Sequence, residues 1–252
     1  MSYPGIICET VSFQGHNNDK SEAYYARPSK QGRVGGVVLI HHLPGWDEWS
    51  IETARKIAHH GYACISPNLY FRDGPGSHDD IGARVRAAGG VSDNQVVGDV
   101  AGSIAYLRAQ PNSNGKIGLI GFCSGGRHVY LVACQLGNID AAVDCWGGNV
   151  IVDDKTQLNA KRPVAPIDLT AKMTAPLLGL FGNDDANPTA DQVNRTEAKL
   201  KELGKTHEFH RYDKAGHAFF NYARGDAYRA EATADGWKKV FAFYGKHLGG
   251  AA

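Results

Sequence analysis

No stretch of the sequence approaches the ~20 apolar residues that a membrane-spanning helix needs. The longest apolar runs, around Val37–Ile40 and Pro176–Phe181, have the length of strands. Met1-Ser2-Tyr3-Pro4-Gly5 carries neither the basic residues nor the apolar core of a secretory leader, so none is expected. An excess of one charge is missing too: 27 Lys and Arg face 26 Asp and Glu, for a net charge of +1. That balance gives no electrostatic footprint for nucleic acid or an anionic membrane and leaves a small molecule as the expected partner. No Pro/Ser-rich or single-charge stretch supplies a linker, and no repeat of solenoid period is visible. Cysteine is sparse: Cys8, Cys64, Cys123, Cys134 and Cys145 are widely spaced and odd in number, with no CxxC pair or Cys/His ladder of zinc spacing. Reduced thiols and a cytoplasmic location are the simplest expectation.

The 252 residues, 42% hydrophobic and 21% charged, suit one α/β domain spanning 1–252 with a substantial core. Short apolar runs alternate with longer amphipathic segments, as in βαβ units. Val34–His42, Tyr62–Ser66, Lys116–Phe122, Ala141–Trp146, Ala175–Gly182 and His207–Asp213 read as strands. Glu52–His60, Ser92–Gln110, Gly125–Leu136, the segment from Pro188 to Gly204, and Asp226–His247 read as helices. The first ~30 residues read as a short antiparallel start, and the rest demands a mostly parallel twisted sheet with helices on both faces. Pro67–Val91, rich in Gly, Asp and Arg and without a clean period, reads as a surface excursion able to carry substrate contacts.

Ligands in such sheets sit at the carboxyl ends of the strands. At one of those ends stands Gly121-Phe122-Cys123-Ser124-Gly125-Gly126, a strand–turn–helix elbow with cysteine at its apex. The flanking glycines keep side chains out of a turn that is too tight for them, and the thiol falls at a helix N-terminus, where the dipole favours thiolate. Ser124 lies one position past the apex and is expected to face away. A cysteine nucleophile wants an acid and a histidine, in that order along the chain. The strand ending at Gly182 runs into Asp184 and Asp185, and the strand ending at Asp213 runs into His217. The pattern alone does not separate Asp184 from Asp185. The oxyanion hole is expected from the backbone N–H groups of Ser124 and of Leu43, since the next residue, Pro44, has no N–H to give.

These residues resemble the dienelactone hydrolase family (carboxymethylenebutenolidases) over most of the chain. The likeness rests on the His41–Gly45 loop, the Gly61–Ala63 to Pro67–Tyr70 strand, the Lys116–Cys123 elbow, Gly182-Asn183-Asp184 with Pro188 beyond, and Ala215–Phe219. It implies an α/β-hydrolase fold, a Cys123–His217–Asp184 triad, no metal or organic cofactor, and opening of a lactone or ester through a thioester. Two positions depart from the family. His42 stands where its members carry a glutamate that touches the resting thiol, and Asn221 stands where they carry an arginine for the substrate carboxylate. His42, able by position to hydrogen-bond Cys123, joins Asn221 and Trp46 as the substrate-contacting or thiol-modulating candidates. Arg72, Arg84, Arg86 and Arg127 are the candidate replacements for the missing arginine. Asn221 favours a broader carboxylesterase on neutral esters as the second reading; a ligand-binding pseudoenzyme would have no need of all three triad side chains.

Overall fold

The computed structural model describes residues 5–30 and 32–249. An eight-stranded sheet crosses the molecule in the order β1-β2-β4-β3-β5-β6-β7-β8. β1 (Ile6–Gln14) and β2 (Lys20–Pro28) form the antiparallel start, and β2 lies antiparallel to β4 (Ala63–Pro67). β4, β3 (Val34–Ile40), β5 (Ser113–Phe122), β6 (Ala141–Cys145), β7 (Leu177–Gly182) and β8 (His207–Tyr212) run parallel. Tracts such as VGGVVLI are apolar at successive positions because both faces of the central sheet are covered. Val38 and Ile40 enter one core and Val37 and Leu39 the other, as the two-residue period of a strand requires.

One core packs under α3 (Asp93–Ala109), α4 (Ser124–Gln135) and α5 (Ala190–Glu202), and the other under α1 (Glu48–His59) and α6 (Ala230–Leu248). The starts of the helices are set by local chemistry. Ser92 accepts the Gln95 N–H at 3.3 Å, and Thr189 and Gln192 form a reciprocal capping box. α1 begins at Glu48 rather than at the expected Glu52, because Asp47 accepts the Ser50 N–H at 2.9 Å and caps it. α6 begins later than expected, at Ala230. The Pro67–Val91 excursion contains a helix the periodicity did not reveal, α2 (His78–Ala87), capped by Ser77. Its apolar face is narrow; Gly82 and Val85 are its buried residues, too few to print a 3.6-residue pattern.

β3 and β5 are neighbours, and from them the chain proceeds to opposite sides of the sheet, toward β4 and toward β6. A crevice therefore opens at their carboxyl ends. Among the described residues no helix is long and apolar enough to cross a membrane.

Candidate functional site

Cys123 occupies the turn between β5 and α4 with φ 56° and ψ −120°, a conformation costly for any residue with a Cβ. Three features hold it there. Its N–H donates to the Cys145 carbonyl at 3.1 Å, and its own carbonyl accepts from Arg127 N–H at 3.2 Å. A Cβ on Gly121 would stand 2.2 Å from the Gly125 carbonyl oxygen, and one on Gly125 would stand 2.1 Å from the Ile40 oxygen. Only glycine lets the turn pack so closely on itself and on the end of β3.

His217 reaches the same spot from the loop after β8. Phe219 and Phe220, both fully buried, anchor that loop in the core shared by α1 and α6. One edge of the imidazole is within electrostatic reach of Cys123, and on the other Nδ1 lies 2.9 Å from Asp185 Oδ2. Burial by itself pushes the imidazolium down. The hydrogen bonds and charges of Asp185 and Cys123 outweigh it and raise His217 to about 10.

The acid beside His217 is Asp185, a correction to the expected Asp184. Asp184 donates its N–H to the Ala215 carbonyl at 3.0 Å, which ties its backbone to the loop after β8 and leaves its side chain in solvent. The next residue turns inward. Asp185 has a side chain 2% exposed, and its Oδ1 accepts from Asn187 N–H at 2.9 Å while Oδ2 faces the ring.

Leu43 and Ser124 meet across one small cavity. Leu43 N–H has no hydrogen-bond acceptor among the described residues, and Ser124 is the first residue of α4, where a helix leaves its N–H unpaired. His42 does not pair with Cys123 as expected. Its Nε2 lies 2.8 Å from Asp47 Oδ2 and its ring packs on Trp49, because the α1 cap brings Asp47 within reach. Asn221 is buried and spends its Oδ1 on the Ala223 N–H at 3.0 Å, closing a local turn. Trp46 lines a groove with Tyr70 and Ile81 and donates Nε1–H to the Ser66 carbonyl at 3.1 Å. His41, which burial pushes down to about 4, is neutral and braces the loop through the His42 carbonyl and the Leu69 N–H.

Three of the four arginines expected to replace the missing family arginine are engaged elsewhere. Arg72 binds Asp19 and Asp99, Arg127 binds Asp93, and Arg84 binds the carbonyls of residues 73–75. Arg86 is exposed. Three residues the sequence did not single out lie close by: Tyr70, within electrostatic reach of Cys123, and His128 and Arg162, in the cavity beside Ser124. His128 was findable, four residues after Ser124 on the same helical face. Arg162, in an irregular stretch, had no pattern to betray it.

The sequence profile described as the Dienelactone hydrolase family matches residues 21–248. A protein of Salmonella typhimurium named "Putative carboxymethylenebutenolidase" is 30% identical over 97% of this chain and 90% of its own length. One of Escherichia coli K12 with the same name is 32% identical over 92% and 84%. The crystal structure of a "Putative Dienelactone Hydrolase" from Klebsiella pneumoniae superposes with a TM-score of 0.87 at 28% identity, over 96% of this chain and all of the other.

Proposed function

The chain belongs to the dienelactone hydrolase family, and on that premise we propose that it is a carboxylic ester hydrolase that opens a lactone or small ester through a cysteine-bound acyl intermediate. The observation that carries this reading is the convergence of Cys123, His217 and Asp185 at the carboxyl ends of β5, β8 and β7, with His217 hydrogen-bonded to Asp185 and within electrostatic reach of Cys123. In the first step Cys123 Sγ forms a bond to the carbonyl carbon, and its proton resides on His217. The C–O bond to the leaving oxygen then breaks, and His217 returns that proton to it. Asp185 holds Nδ1–H in place and stabilises the imidazolium. Water, deprotonated by His217, attacks the thioester, and the thiol leaves with the proton restored. The N–H groups of Leu43 and Ser124 receive the carbonyl oxygen as it gains charge.

The test is hydrolysis of p-nitrophenyl acetate and dihydrocoumarin by the wild type, Cys123→Ala and iodoacetamide-treated protein. Turnover of both by the wild type, and loss of both in the other two, is the expected result. Undiminished activity in Cys123→Ala would sink the reading.

A further inference from the structure

The end of β6 supports both the cysteine and the histidine of the site. Its last residue, Cys145, gives its carbonyl to the Cys123 N–H at 3.1 Å. The next residue, Trp146, is 1% exposed and places its ring centroid 5.4 Å from Phe122, 4.9 Å from Phe219 and 6.5 Å, edge-on, from His217. Those spacings fall in the range of interacting aromatic pairs. Trp146 reaches this position with φ 43°, in the left-handed region, which is costly for a residue with a Cβ. A strained residue at the crossing of two catalytic loops needs something to hold it.

Asp144 stands on the other side of Cys145 and is 2% exposed. Its Oδ1 accepts the Gly147 N–H at 2.8 Å, so the side chain bridges across Trp146 and closes the turn. The same oxygen is seated against the first turn of α4, since a Cβ added to either Gly126 or Gly147 would run into it. One carboxyl therefore touches the helix that follows Cys123 and the turn that carries Trp146. No cation faces it among the described residues: Tyr130 of α4 and Cys145 of β6 are the ionisable groups that sense its charge. Toward β7 and α5 it borders a cavity of about 10 Å³ walled by uncharged residues such as Phe181, Gln192 and Thr196. Burial pushes this carboxyl up to about 7, against the pull of the Gly147 N–H. An acid buried without a charge partner is expensive, and its hydrogen bond to the turn is a task that Oδ1 performs in either protonation state.

We propose that Asp144 is a positioning residue for the reaction at Cys123, holding the Cys145–Gly147 turn against the elbow so that the Cys145 carbonyl fixes the Cys123 backbone and the Trp146 ring backs His217. The inference rests on the hydrolase reading above and adds a residue outside the triad on which its geometry depends. Asp144 touches no reacting atom. It acts through two neighbours, one on the nucleophile and one on the base.

The test measures p-nitrophenyl acetate hydrolysis by the wild type, Asp144→Ala, the isosteric but apolar Asp144→Leu, Asp144→Asn and Trp146→Leu. The buried Cys64 and Cys134 serve as reporters of folding: their resistance to iodoacetamide, read by peptide mass, gives the folded fraction, and kcat is counted per folded molecule. Asp144→Ala and Asp144→Leu should lower that kcat by roughly 10- to 100-fold, the scale of an ångström of misplacement in a catalytic constellation, with KM within about twofold of wild type. Asp144→Asn retains an oxygen for the Gly147 N–H and should stay within about threefold of the wild-type kcat. Because both residues act through one turn, Asp144→Ala combined with Trp146→Leu should lose little more than the worse single variant. A wild-type kcat per folded molecule in whichever of Asp144→Ala and Asp144→Leu folds overturns the proposal, and so does an Asp144→Asn enzyme as slow as Asp144→Ala. If the wild type itself does not hydrolyse the ester, the hydrolase reading fails and the positioning role with it.

Discussion

Asp185 is held at two points, with Oδ1 on the Asn187 N–H and Oδ2 on His217, whereas its neighbour Asp184 presents its side chain to solvent. Asp185→Asn keeps the shape but removes the charge and favours the wrong imidazole tautomer, so kcat on p-nitrophenyl acetate should fall by about 10³–10⁴-fold. Asp184→Asn, an exposed change, should alter it less than about twofold. A second consequence concerns pH. His217 is raised from 6.5 to about 10, so between those values the folded protein binds a proton that the unfolded chain has lost. The stabilisation is fully present below about 6.5 and disappears as pH rises through 10. Melting temperatures from pH 6 to 10 should therefore fall more steeply for the wild type than for His217→Gln. Parallel profiles would remove His217 as the cause.

At the scale of elements, α1 and its cap do two tasks. Asp47 accepts the Ser50 N–H and also fixes His42 at 2.8 Å, with the His42 carbonyl in turn accepting the Gly45 N–H at 2.9 Å in the loop that carries Leu43. Asp47→Ala should cost about 1–2 kcal/mol in urea unfolding as a lost cap, and it should also lower esterase kcat by loosening the His42–Gly45 loop. A loss of stability with kcat intact would confine Asp47 to capping. The elbow between β5 and α4 is less forgiving. Gly125→Ala drives a methyl group into the Ile40 carbonyl oxygen and should destabilise the protein by about 1–3 kcal/mol, with loss of iodoacetamide-sensitive activity at Cys123.

For the whole molecule, the Arg127–Asp93 pair ties α4 to the first residue of α3, and side chains 3% and 5% exposed take part in it. Removing one partner leaves the other charge buried, so Arg127→Ala should lower unfolding stability by about 3–5 kcal/mol. Arg127→Met with Asp93→Leu removes both charges and should recover much of that loss. Chemical denaturation of the three proteins checks the order.

Much of this architecture is written locally. Apolar runs of strand length, the caps at Ser92 and Thr189 and the glycines about Cys123 each act within a few residues, so the elements, the α/β-hydrolase fold and the elbow are legible in the sequence. The order Cys123, acid, His217 is legible too, since strand order fixes which loops converge. What the chain spacing could not decide is which way a side chain faces. Asp184 and Asp185 differ because the Ala215 carbonyl captures one backbone N–H across the gap between β7 and β8. His42 turned to Asp47 because a helix cap lay within reach. Arg162 gained its place beside Ser124 only when residues nearly forty positions apart in the chain were folded against the same cavity. Those outcomes depend on long-range contacts and on the pairing of buried charges, and only tertiary structure sets them.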